Sequence, residues 1–233
     1  MRRLLLFVFS HRFLAIARWE LHFIGLRARN SLFGGHASIR RALSRKQRPL
    51  FLNLGAGPRG LCDPHWLNID GFKAHNVEFL LDISRPIAFP DAAFDGVFCE
   101  HVLEHFSLED GEKIAAEVCR MLQPCGVFRV IVPDAEKVVR RYIETPEQLR
   151  AWSGNCRTAM EAVNSAFRQR YEHQFLYDWP TIELMLRRAG FESINRTTFR
   201  SGSVSALVLD DEKYEWESLY VDAKKASTIL EEE

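Results

Sequence analysis

The chain has 233 residues, of which 47% are hydrophobic and 27% charged, with Lys+Arg 31 balanced by Asp+Glu 31. That composition excludes a disordered or collagen-like chain and fits one globular domain large enough to bury a sizeable core. The zero net charge hides a split: residues 1–48 carry eleven Lys/Arg and one acid, Glu20, and the other acids all lie beyond them.

The first residues, Met1-Arg-Arg and an apolar run at 4–9, imitate the start of a secretory signal. The run breaks at Ser10-His11-Arg12, too soon for a signal or a bilayer span, so a cytoplasmic chain is expected. The five cysteines contain no C-x-x-C pair, which suits a reducing compartment without disulfides or a zinc site. Residues 4–26 place Leu4, Phe7, Val8, Leu14, Trp19, Phe23 and Leu26 at loosely helical spacing, with Arg12, Arg18 and Arg27 between them. The expectation is a basic helical arm over residues 1–48 that packs on the domain or serves as a lid. The competing reading is peripheral contact of residues 1–30 with an anionic membrane surface. No aromatic-interleaved basic motif is present, so no nucleic-acid partner is expected.

From residue 50 the pattern alternates between strand and helix. Strands are expected at 50–54, 66–70, 77–81, 94–99 and 127–132, later ones at 191–198 and 217–223, and helices at about 108–122, 135–143 and 180–189. Ser107-x-x-Asp110 has the form of a capping box, and Gln123-Pro-Cys-Gly126 a stop. Residues 146–170 read as mostly helical, within an insertion at 135–180 on the substrate side. The expected fold class is α/β, a doubly wound, mostly parallel seven-stranded sheet within residues 49–223, followed by a C-terminal tail at 224–233.

The chemistry centres on Leu52-Asn-Leu-Gly-Ala-Gly-Pro-Arg-Gly60. Glycines after a strand permit positive φ and close approach of a ligand, but this spacing alone suits a nicotinamide enzyme equally well. Two acids narrow the choice. Asp70 ends the second strand, where a carboxylate can accept both hydroxyls of a ribose. Asp82 follows the third, where one can accept from an adenine amino group, with Ile83 beside it to pack on the ring.

These residues resemble class I S-adenosylmethionine-dependent methyltransferases over roughly residues 50–135, with a weaker likeness in 170–223. The most specific part is Asp82-Ile-Ser-Arg-Pro-Ile-Ala-Phe-Pro-Asp-Ala-Ala-Phe-Asp-Gly-Val-Phe-Cys-Glu-His-Val-Leu-Glu-His105. The resemblance implies S-adenosylmethionine as cofactor, with Gly55, Ala56 and Gly57 near its methionine part, Asp70 at the ribose, and Asp82 and Ile83 at the adenine. It puts Glu100 and His101 on the floor of the methyl-transfer cleft. The nearest resemblance is to bacterial methyltransferases linked to surface-glycan synthesis, which implies a small-molecule or glycan acceptor methylated on oxygen. Methylation of nitrogen or carbon, or cofactor binding without catalysis, are the alternatives. Asn53 and Glu100 are further cofactor-binding candidates; Asn53 departs from the pattern, standing where the family carries an acid, and the short connection from Ala56 to Leu67 leaves room for little helix.

A hydroxyl acceptor must lose a proton, which histidine can take near neutral pH. His101 is the first candidate, with His105 and Asp134 as further catalytic candidates at the carboxyl edge of the sheet. His173 and Tyr177 are expected in the cleft wall. Glu100, Glu104 and the two histidines match no standard metal spacing, so no metal is expected.

Overall fold

A computed structural model describes residues 11–32 and 35–227 of the chain. The apolar run at 4–9 and the last six residues of the tail lie outside them. Two helices come first, α1 (His11–Leu32) and α2 (Gly35–Leu43), followed by strands β1 (Phe51–Leu54), β2 (Trp66–Asp70), β3 (Phe79–Leu80) and β4 (Phe94–Glu100). Then come α3 (Leu108–Met121), β5 (Leu122–Pro133), α4 (Ala135–Glu144), α5 (Pro146–Trp152) and α6 (Ala159–Arg168). The chain continues with α7 (Trp179–Arg188), β6 (Phe191–Thr197) and β7 (Ser218–Lys225).

The strands form a 7-stranded sheet in the order β3-β2-β1-β4-β5-β7-β6, and β7 runs antiparallel to both its neighbours. The expected mostly parallel, doubly wound sheet is therefore the one observed. β1, whose residues are all buried, sits mid-sheet between β2 and β4, so its carboxyl end opens at the point where the strand order reverses. That is where open α/β sheets bind ligands.

Local sequence explains the main elements. Ser107 caps α3 by accepting from the Asp110 N–H at 3.2 Å, and α3 buries Ile114, Val118 and Met121 against the sheet. Each such side chain removed from water contributes about 1.5–3 kcal/mol. Residues 123–126 do not separate α3 from a later strand: β5 begins directly at Leu122. Pairing with β4 then jumps from Phe94↔Leu122 to Gly96↔Val127, so these residues form a bulge, with Cys125 at φ 63. The strand expected at 77–81 shrinks to an edge pair, Phe79–Leu80, because the Val77 N–H closes a turn to Ala74. The crossover from β1 to β2 contains a single 3-10 turn, Gly57–Arg59, in keeping with its short length.

The opposite face of the sheet carries a second cluster of Phe51, Trp66, Phe98, Ile131 and Tyr220, covered by Leu207 from the long connection between β6 and β7. α4, α5 and α6 share a small cluster of their own around Val138, Leu149 and Ala162. α1 packs on the sheet edge: Arg27 pairs with Asp82 at 3.0 Å, Asn30 donates to the Leu80 carbonyl at 2.8 Å, and Phe23 is buried. None of the described helices is long and apolar enough to cross a membrane.

Candidate functional site

A cleft of about 360 Å³ opens at the carboxyl end of β1, β2 and β4. Its floor is the glycine turn. Gly55 takes φ 76 and Gly57 φ 51, both conformations that L side chains rarely adopt. The N–H groups of Gly55 and Ala56 both donate to the Ile69 carbonyl, at 2.9 and 3.0 Å, which ties the turn to the end of β2. Asp70 completes the tie: one carboxylate oxygen accepts from the Gly57 N–H at 2.8 Å and the other from the Phe72 N–H at 2.7 Å. The space above Gly57 is open, since a Cβ there would meet nothing within 4 Å.

Gly55, Ala56, Gly57, Asp70, Ile83, Glu100, His101 and His105 all line the cleft. Glu100 is ion-paired with Arg59 and accepts from the Asp211 N–H at 2.9 Å. His101 follows β4 with φ 53, a left-handed conformation that costs a non-glycine residue about 1–2 kcal/mol. Its ring is fixed on three sides. Nε2 meets Ser218 Oγ at 2.9 Å, Nδ1 lies 3.2 Å from Glu104 Oε1, and Tyr214 stacks on the ring at 3.8 Å. Strain at this position, held by so many contacts, marks a side chain whose direction is fixed by its surroundings.

Four expectations require correction. Asn53 is buried beneath the turn, where its amide donates to Asn68 Oδ1 at 3.3 Å; it does not line the cleft. Asp82 does not face the cleft either, because its carboxylate is occupied by Arg27 and by the Ser84 hydroxyl at 2.7 Å. Asp134 is fully buried; it caps α4 by accepting from the Lys137 N–H and pairs with Arg196 at 3.1 Å. Its work is structural. Tyr177 also leaves the expected cleft wall: it is fully buried, its hydroxyl has no partner, and burial raises its pKa.

Other residues complete the wall. Trp19 and Phe23 come from α1, Lys213 and Tyr214 from the β6–β7 connection, and Arg59 from the turn itself. The arm is therefore part of the cleft. Glu104 lies behind His101 and is fully buried. Burial raises its carboxyl, but nearby His101 and His105 outweigh this and the net shift is downward. The His101 contact lacks hydrogen-bond geometry, so neither Glu104 oxygen has a hydrogen-bond partner.

Residues 65–130 match a family described as a methyltransferase domain, a span that holds Asp70, Asp82 and the Glu100–His105 segment but not the glycine turn. The comparison with curated proteins gives no match. Among solved structures, the fold is similar to a chain from the complex of the Haloferax volcanii Trm112 methyltransferase activator with a candidate methyltransferase. That likeness has a TM-score of 0.50 at 14% identity and covers 86% of this chain and 93% of that one. Burkholderia thailandensis 1,6-didemethyltoxoflavin-N1-methyltransferase, bound to 1,6-didemethyltoxoflavin and S-adenosylhomocysteine, gives 0.48 at 15% identity, with 94% and 91% covered. A SAM-dependent methyltransferase from Archaeoglobus fulgidus gives 0.47 at 15% identity, with 89% and 99% covered.

Proposed function

We propose that this chain is an S-adenosylmethionine-dependent methyltransferase that transfers the methyl group to an oxygen of a small, hydroxyl-rich acceptor of glycan-like character. The observation that carries the choice of oxygen is the imidazole–carboxylate pair of His101 and Glu104 at the cleft floor. A hydroxyl needs a proton acceptor in the transition state, whereas a neutral amine can attack without one.

The cleft residues suit the cofactor. Asp70 presents a carboxylate beside the turn, Ile83 an apolar flank, and the open space over Gly57 lets a ligand lie against the backbone. When bound, S-adenosylmethionine supplies an electrophilic methyl carbon whose bond to sulfur breaks as the bond to the acceptor forms, the electron pair remaining on sulfur. The protein must place the acceptor oxygen in line and exclude water. Glu104 lies 3.2 Å from His101 Nδ1, which sets a carboxylate beside the ring. Ser218 Oγ sits at Nε2, so an acceptor proton reaches His101 by displacing that hydroxyl or by passing through it. The aromatic surfaces of Phe106, Tyr214 and Trp19 on the cleft wall favour a ring with apolar faces and polar edges, as a sugar has.

The test uses 13C-methyl-labelled cofactor and an acceptor panel of sugars, phenols and amines. A methoxy carbon signal in the product is expected, and an N-methyl or C-methyl product would overturn the choice of oxygen. His101→Ala should leave binding of the demethylated product, S-adenosylhomocysteine, within about threefold by calorimetry. It should lower kcat by on the order of 10²–10⁴. Unchanged turnover would remove His101 from the proton path.

A second proposal concerns α1. Its inner face packs on the domain, while Ile16, Leu21 and Ile24 on the outer face are 49%, 68% and 52% exposed in a strongly basic part of the chain. We infer that this face rests on anionic lipid. Co-sedimentation with phosphatidylserine vesicles should be lost when Ile16, Leu21 and Ile24 are all changed to serine. Equal sedimentation of both proteins, or none of the parent chain, would reject the idea.

A further inference from the structure

Behind the cleft wall, Glu104, which also flanks His101, converges with two histidines that the methyl-transfer chemistry does not use. One ligating atom each from Glu104, His105 and His173 lie within 4.8 Å of one another. Glu104 is fully buried; its oxygens have no hydrogen-bond partner, and the His101 ring, 3.2 Å from Oε1, stands on one side only. A buried carboxylate so sparsely partnered is stabilised by a positive charge on its other side.

The two histidines are prepared in the same way. His105 Nδ1 lies 3.1 Å from the Glu172 carbonyl oxygen, and His173 Nδ1 lies 2.7 Å from that of Ala166. A carbonyl only accepts, so each Nδ1 carries the proton and each Nε2 keeps its lone pair. A ring nitrogen held by a backbone carbonyl while the other stays free is the arrangement of a metal-binding histidine. The two rings meet edge to face at 5.1 Å.

The frame around the group is fixed by backbone bonds. The N–H groups of Gln174 and Phe175 both donate to the Glu104 carbonyl, at 2.8 and 3.2 Å. The Gln174 side chain donates to the His105 carbonyl at 2.8 Å. The loop after β4 and the segment before α7 are thus laced together, although nearly 70 residues of chain separate them. His105 and Glu172 also line the cleft, so the group borders the space available to a ligand.

We propose that Glu104, His105 and His173 hold a divalent transition-metal ion of the zinc type at the acceptor end of the cleft, with its remaining positions open to oxygens of the acceptor. Two imidazoles and one carboxylate form a ligand set suited to zinc, iron(II) or cobalt(II), with an open position of the kind catalytic sites keep. Magnesium, which prefers oxygen ligands and retains its water, fits poorly. Metal–ligand bonds of about 2.0–2.2 Å require the three side chains to draw closer together, which torsions at Glu104 and His173 can supply. The role of the ion rests on the O-methyltransferase reading: a hydroxyl bound to it gives up its proton more readily, to His101 or to water. A vicinal diol, or a hydroxyl beside a carbonyl, is the acceptor chemistry such a site would select.

The test uses the tag-free full chain, stripped with a chelator and titrated with Co(II) alone while its visible d–d absorption is followed. One ion per chain is expected. Glu104→Gln and His173→Ala should each weaken binding by at least about tenfold, with unchanged circular dichroism. His105→Ala, at a less buried position, serves as the third variant if either of these misfolds. No saturable binding by the parent chain, or equal binding by the folded variants, would overturn the proposal. S-adenosylhomocysteine is titrated separately into metal-free protein. Binding of that product without Co(II) binding rejects the metal site and leaves the methyltransferase reading in place, whereas the converse result does the reverse.

Discussion

Replacing Arg129 with methionine should destabilise the fold by about 3–5 kcal/mol. Arg129 lies in the middle of β5 and is fully buried. Its guanidinium donates to both oxygens of Asp210, at 2.9 and 2.6 Å, and to Asp222 at 2.8 Å, with the Ser201 carbonyl at 3.1 Å. The two acids are completed by the N–H groups of Arg200 and Ser203 and by the Ser203 hydroxyl. Such a network is tolerable because every member has its partners; without the cation, two buried carboxylates keep only backbone and hydroxyl donors and lose their counter-charge.

Urea melts of both proteins at pH 7 would measure the loss, and a difference under about 1 kcal/mol would refute the argument from the buried network. The consequence reaches the cleft. Arg129 anchors the connection between β6 and β7, which carries Asp211, Lys213 and Tyr214 to the wall beside Glu100 and His101.

That network also marks where sequence reading ends. The positions of most strands, the glycine turn, Asp70 and the segment through His105 follow from local pattern, because period, punctuation and a few residue types identify them. Arg129 interrupts an apolar strand, and nothing near it in the chain reveals partners 81 and 93 residues away. His173 is similar: its meaning depends on lying beside Glu104 and His105, which only the packing of α7 against α3 brings about. Asp82 failed for the opposite reason. Its place after a strand suggested a ligand, but α1 supplies Arg27 to it from 55 residues away. Local pattern finds residues of the right type in the right place; whether a carboxylate is free is decided by the rest of the fold.

Gly55→Ala should have the most direct effect on the cleft, through two separable causes. The first is backbone conformation: at φ 76 a non-glycine residue costs about 1–2 kcal/mol. The second is steric. A Cβ at Gly55 would lie 2.2 Å from Cγ2 of Val102 and 3.2 Å from its Cγ1. Rotation of valine relieves one contact by worsening the other, so the loop after β4 must move, adding about 1–3 kcal/mol as overpacking does. Val102 follows His101, so the shift displaces the imidazole and Glu100 from the turn they face. Calorimetry should therefore show binding of S-adenosylhomocysteine weakened at least about tenfold, beside a stability loss of about 2–5 kcal/mol. Adding Val102→Ala removes the steric cause and leaves the conformational one. The double variant should recover much of the binding and part of the stability relative to Val102→Ala alone. If the second change recovers nothing, the close approach of Val102 is not what makes glycine necessary, and the cost lies wholly in the left-handed turn.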